Sequence, residues 1–168
     1  MDNIKKILAP TDLSKLSEAG VRYALNLART VGAEVTIYHV VSYDEIMDYR
    51  GDVEDRVVAS YKLHAPDQLV HKGDLALSRF IKYHFSNLTP QVKIREKVEL
   101  GKAHQRIVEE ANKEESDLIV MSTRGRTGLS HMFIGSVTEK VVRHAPCPVL
   151  SIHPQPEEQA TQKVAAAG

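Results

Sequence analysis

Short apolar runs alternating with stretches of helical spacing constrain this chain more than any other feature. "IKKILAP" predicts a strand from Lys5 to Ala9, closed by Pro10, which lacks a ladder donor. Leu16, Ala19, Tyr23, Leu27 and Val31 then recur at three- and four-residue steps, predicting an amphipathic helix that ends before Gly32. "AEVTIYHVV" is a second strand, Ala33 to Val41. Two strands joined by a helix of this length form a βαβ unit, so the strands run parallel.

The same alternation returns later. Leu75, Phe80 and Phe85 lie in a predicted helix of about residues 66–87, after an acidic, Tyr-bearing stretch without clean periodicity. "QVKIREKVEL" alternates apolar and polar residues, as a strand with one exposed face does. In "GKAHQRIVEEANKEES", Ala103, Ile107, Val108 and Ala111 share one helical face. "DLIVMS" is short and nearly all apolar, as in a sheet covered on both sides. Ser136 and Glu139 read as a capping box opening a helix that runs to His144. Pro148 to His153 supplies the last strand. The expected architecture is therefore α/β: a doubly wound, mainly parallel five-stranded sheet with helices on both faces. One domain spans 1–154, with 43–87 its variable middle region, and the polar, then Ala-rich, segment 155–168 is expected to be a disordered tail.

Charge narrows the partners. The 22 basic residues balance the 22 acidic ones, which argues against a nucleic-acid binder. No run approaches the ~18 apolar residues of a membrane span, and the start lacks the apolar core of a signal peptide. The single cysteine, Cys147, cannot form an internal disulfide and fits a reducing compartment. A cytoplasmic location, with neither nucleic acid nor membrane as partner, is the expectation.

In such sheets ligands bind beyond the carboxyl ends of the strands, where the strand order reverses. "APTD", "HVV" and "MSTRGRTG…GS" should meet there. Gly125 opens backbone angles closed to other residues, and Gly135 lies directly before a helix whose first amides and dipole favour an anion. Ser136 and Thr138 are candidate hydroxyl donors, and Arg124 and Arg126 candidate counter-charges. The same residues also read as a well-capped helix after a solvated loop, and Asp12 as a helix cap. The loop matches neither GxxxxGK[ST] nor GxGxxG. His144 and Cys147 are too few to hold a metal.

"ILAPTDLS", "HVV" and "DLIVMSTRGRTGLSHMFIGSVTEKVVRHAPCPVLSI" together resemble the universal stress protein domain, over nearly all of Ile4 to Pro154. That resemblance implies a strand order of 3-2-1-4-5 and a homodimer through the last strand. Its ATP-binding branch carries Gly-x2-Gly-x9-Gly-[Ser/Thr], which falls here on Ser122, Gly125, Gly135 and Ser136, so a serine replaces the first glycine. By the resemblance, Pro10, Thr11 and Asp12 border a nucleoside, Val40 offers backbone groups to adenine, and Met121 lines the pocket. Ser122 points toward ribose or the adjacent phosphate, and Gly135, Ser136, Val137 and Thr138 hold phosphates. The implied cofactor is ATP or another adenine nucleotide, with Mg²⁺ beside the triphosphate.

The expected role is a stress protein that changes state or partner with nucleotide occupancy. Hydrolysis should be slow or absent, because the sequence offers no identifiable general base beside the phosphate loop. A nucleotide-free dimeric interaction module is the alternative, and Ser122 is its best support. An adenylyl-transferring enzyme would need a HIGH-type histidine pair or an SGGxDS loop, and neither string occurs.

Overall fold

The structure, a computed structural model, describes residues 3–42, 66–123 and 134–154. The expectations for 43–65, for Arg124, Gly125 and Arg126, and for the 155–168 tail fall outside the described residues.

Five strands form one parallel sheet: β1 (Lys6–Thr11), β2 (Glu34–Ser42), β3 (Lys93–Gly101), β4 (Leu118–Ser122) and β5 (Val149–Ile152), in the order β3-β2-β1-β4-β5. Among the described residues the helices are α1 (Glu18–Val31), α2 (Pro66–Phe85), α3 (Ala103–Lys113) and α4 (Ser136–His144). Short 3-10 turns at Lys15–Ser17 and Thr89–Gln91 precede α1 and β3. The order reverses between β1 and β4, which is the switch point the sequence pointed to.

Each face of the sheet carries its own core. Ile7, Ala9, Val35, Ile37, Leu118 and Val120 face α1 and α2, where Val21, Leu25, Leu77 and Phe85 close over them. Leu8, Tyr38, Val40, Ile119 and Met121 face α3 and α4, against Ile107, Ala111 and Val141. The parity of each strand thus decides which helix pair a residue meets.

Three expectations are corrected. First, β1 does not stop before Pro10. Its pairing with β2 runs on through Pro10↔Tyr38 and Thr11↔His39, whereas its pairing with β4 covers Ile7 and Leu8. Pro10 therefore stands where one flank of the strand is no longer laddered, and a missing donor is tolerated there.

Second, α1 buries a different stripe. Gly20, Val21, Ala24, Leu25 and Ala28 face inward, while Tyr23 is 46% exposed. The small residues win because they let the helix approach the sheet. A Cβ on Gly20 would stand 2.7 Å from the backbone nitrogen of Ser122. Gly32 ends α1 in the left-handed conformation, φ 75°, with its N–H on the Ala28 carbonyl.

Third, Ser136 is not the cap of α4. Gly135, extended at φ −67° and ψ 151°, occupies the cap position without a side-chain bond, which makes Ser136 the first helical residue. The capping box therefore does not form, and Glu139 pairs forward with Arg143 at 3.0 Å.

Candidate functional site

β1 and β4 lie side by side with Leu8 level with Ile119, an offset that sets Thr11 beside Ser122 at the carboxyl edge. The turn leaving β1 is tightly tied. The Leu13 N–H donates to Thr11 Oγ1 at 3.0 Å and the Ser14 N–H to Asp12 Oδ1 at 3.0 Å. The Ser17 hydroxyl donates to the Ser14 carbonyl at 2.8 Å, which leaves Thr11 as the donor in its 2.7 Å contact with Ser17. This web holds Leu13 at φ 64°, a left-handed conformation costly for a branched side chain. Asp12 thus shapes the turn, but the cap of the 3-10 turn is Ser14, whose Oγ accepts the Ser17 N–H at 3.2 Å, so the reading of Asp12 as the helix cap is corrected.

Ser122 is 6% exposed. Its parity with Leu118 and Val120 turns the side chain toward α1, where Oγ accepts the Gly20 N–H at 3.0 Å. Gly20 is the third residue of α1, whose first-turn amides have no partner within the helix. The serine caps that helix from across the sheet. The expectation that its side chain points toward ribose is corrected.

The start of α4 is pinned to the last residues of β4. The Gly135 N–H donates to the Thr123 carbonyl at 2.6 Å, and the Thr138 hydroxyl to the Ser122 carbonyl at 2.9 Å. Thr138 is 3% exposed, so its hydroxyl holds the helix and is not offered outward; that part of its expected phosphate role is corrected. Gly135 sits close against β4's exit: an added Cβ would lie 3.0 Å from the Thr123 oxygen, so that carbonyl would have to give by a few tenths of an ångström. The first-turn amides of Ser136, Val137 and Thr138 open the helix, and Gly135 contributes no side-chain acceptor to them. Ser136 is exposed, and Val137 packs partly against the α3/α4 core.

Val40 and Met121 are 6% and 5% exposed, in the core beneath α3 and α4. Val40 lies one residue beyond the last β1–β2 pair, so its backbone sits on the carboxyl edge. The structure thus brings Pro10, Thr11, Asp12, Val40, Met121, Ser122, Gly135, Ser136, Val137 and Thr138 to one end of the sheet.

Sequence reasoning missed a half-buried charged cluster on the α3 face. Lys97 of β3 bridges Glu110 of α3 and Glu99, and the Tyr38 hydroxyl donates to Glu99 at 2.8 Å. Burial, helped by Glu99, pushes the Tyr38 phenol far up. Burial also acts against the charged forms of Lys97 and Glu99. Hydrogen bonds from Lys97 to Glu110 and Glu99, and to Glu99 from Lys97 and Tyr38, outweigh it, so Lys97 is held above its usual range and Glu99 below. The only advance signal was Lys97 and Glu99 standing on alternate positions of a strand beside an α3 glutamate.

A cavity of about 490 Å³ lies at the opposite, amino end of the sheet, lined by Lys6, Arg95, Lys97, Lys113 and acidic residues of α3 and its exit. Lys6 is spent on the Glu114 carbonyl, Arg95 on Glu34 and Glu114, and Lys97 on Glu99 and Glu110. Among the described residues no group of three His, Cys, Asp or Glu is placed to hold a metal, and no helix is long and apolar enough to cross a membrane. His144 engages the Lys140 carbonyl at 2.8 Å, and burial raises the Cys147 thiol.

A parallel sheet in the order β3-β2-β1-β4-β5, with helices on both faces and a helix N-terminus fixed at its switch point, defines a doubly wound α/β protein. The profile of the Universal stress protein family matches residues 3–153. The chain belongs to the universal stress protein family. It is 35% identical to Universal stress protein MJ0531 of Methanocaldococcus jannaschii over 150 residues, 88% of this chain and 81% of that protein. It also matches the solved structure of universal stress protein UspA from Lactobacillus plantarum. That match has a TM-score of 0.70 and 25% identity, and covers 90% of this chain and 99% of that one. More distant structures share the fold: a universal stress protein in complex with cAMP (TM-score 0.58, 20% identity, 92% and 100% covered) and an Arabidopsis thaliana family protein with AMP bound (0.59, 14%, 92% and 94%).

Proposed function

We propose that this chain binds an adenine nucleotide at the carboxyl edge of β1 and β4, its phosphates resting on the first-turn amides of α4. The observation that carries this reading is the pinning of that turn. Two bonds from Gly135 and Thr138 to the end of β4 hold the amides of residues 136–138 in place beside the β1 turn. A fixed cluster of backbone donors at the positive end of a helix dipole favours a phosphate without reorganising. The adenine nucleotides in two relatives of the same fold support the choice of base.

Ser122 does not stand in the way, since its hydroxyl is engaged on Gly20. This supports the nucleotide-binding reading over a nucleotide-free module. Asp12, at the edge of the site, is the carboxylate best placed among the described residues to meet a Mg²⁺ that enters with a triphosphate. Backbone donors bind the phosphates without activating water, so hydrolysis is slow or absent and the nucleotide acts by changing the protein's state or partner. We place this activity in a cytoplasmic stress response.

Native mass spectrometry of freshly purified protein, followed by calorimetric titration with ATP and Mg²⁺, tests the reading. Bound ATP, ADP or AMP and a saturable titration are expected. Purified protein that carries no nucleotide and gives no heat with ATP, ADP, AMP or cAMP overturns it, as does turnover at the rate of dedicated ATPases.

A further inference from the structure

His39 is 4% exposed and holds its Nδ1 2.9 Å from the Thr11 carbonyl oxygen. A carbonyl only accepts, so Nδ1 carries the proton. Thr11↔His39 is the last pair between β1 and β2. The strand neighbours Tyr38 and Val40 belong to the α3/α4 core and Ile37 to the other, so the imidazole lies on the α1/α2 face. Gly73 of α2 packs there, where an added Cβ would stand 3.8 Å from the ring's Cδ2.

The peptide between Thr11 and Asp12 is planar and trans, so its C=O and N–H point in opposite directions. Drawing the Thr11 carbonyl toward the α1/α2 face turns the Asp12 side of that peptide toward the α3/α4 face, where α4 begins. We propose that His39, as its Nδ1–H tautomer, is a positioning residue of the nucleotide site. It fixes the last peptide of β1 and thereby the placing of Asp12. The Thr11 hydroxyl, held by Ser17 and bonded by Leu13, secures the same residue from the same side. This inference rests on the nucleotide-binding reading for its effect on affinity, and on geometry alone for the tautomer.

Three measurements on the full chain test it. Long-range ¹H–¹⁵N spectra of the unliganded protein are expected to show His39 protonated at Nδ1; protonation at Nε2 alone overturns the proposal. His39→Asn keeps a donor near the Nδ1 position, whereas His39→Leu keeps a similar shape without one. The Asp12 amide resonance should stay near its wild-type position in the first variant and move in the second. ATP·Mg²⁺ affinity should fall about tenfold for His39→Leu and by no more than about threefold for His39→Asn. Equal losses in both variants, at matched thermal midpoints, overturn it. If the wild type takes up no nucleotide, the binding reading fails by itself, while the tautomer and the Asp12 resonance still decide the role of His39.

Discussion

The Ser122 hydroxyl accepts the backbone N–H of Gly20 at 3.0 Å, across 102 residues of sequence. A buried amide deprived of its acceptor costs about 1–3 kcal/mol. Ser122→Ala should therefore lower the thermal midpoint by several degrees and leave nucleotide affinity within about twofold. Thermal denaturation with and without ATP reads both quantities. A several-fold gain in affinity would mean that the hydroxyl obstructs the ligand after all.

Gly20→Ala should be more damaging. The new methyl would meet Ser122 N at 2.7 Å and the Met121 carbonyl carbon at 2.9 Å, both backbone atoms that cannot swing aside. Overpacking of this kind costs about 1–3 kcal/mol or more. Urea denaturation should show a clearly reduced midpoint, and a midpoint equal to the wild type would contradict the close approach of α1 to β4.

Ser136→Pro isolates the phosphate seat. Proline suits the first helical position, and the extended Gly135 before it, ψ 151°, is already in the conformation a following proline demands. The variant loses one amide donor and keeps the helix. ATP affinity should drop about tenfold, while the circular dichroism spectrum and thermal midpoint stay close to wild type. Gly135→Val is a poorer probe, because its side chain would press on the Thr123 carbonyl. Unchanged affinity in Ser136→Pro would move the phosphates elsewhere.

Two carboxylates should give opposite pH signatures. Burial raises the Glu114 pKa, opposed by its bonds to Thr36 and Arg95. With the folded value above the unfolded one, its contribution is fully present below about pH 4.3 and is lost as pH rises through the folded value. Glu99 is held low, with its bonds to Lys97 and Tyr38 outweighing burial, so its contribution is present above about pH 4.3 and lost as pH falls. Thermal midpoints between pH 3 and pH 7 should therefore show Glu114→Gln gaining on the wild type as pH rises, and Glu99→Gln losing ground. The same trend in both variants would refute the assignment.

We propose that β5 pairs with β5 of a second copy. It is bonded to β4 on one side and forms an edge of the sheet, with Ser151 exposed. A homodimer at micromolar concentration is expected by light scattering. Ser151→Lys should shift it toward monomer by placing a like charge on each copy of the pairing edge. A monomeric wild type would dispose of the idea.

Short apolar runs, one alternating stretch, helical spacing and turn signals located the strands and main helices among the described residues to within a few residues, and the strand order followed from the family resemblance. Four details were not legible, each for a physical reason. α1 is apolar around much of its circumference, so period alone could not choose between the stripe through Tyr23 and the one through Gly20, Ala24 and Ala28. The parity that turns Ser122 toward α1 was present in "LIVMS", but it means nothing until one knows which helix covers which face. His39 looked like part of an apolar strand, since no pattern reports that a buried ring reaches the neighbouring carbonyl. The capping position failed by one residue because a glycine with no side chain can serve where a serine was expected.

The two borders of the sheet are chemically unlike. β3 carries Lys93, Arg95 and Lys97 on alternate positions, engaged with Glu34, Glu114, Glu99 and Glu110, and cations on an edge repel an incoming strand. The β5 border has no such row. Growth by strand addition can then proceed from one side only, and an assembly that joins like to like there is closed after a single step. The charged border makes the molecule a poor seed for fibres, even though its other border invites company.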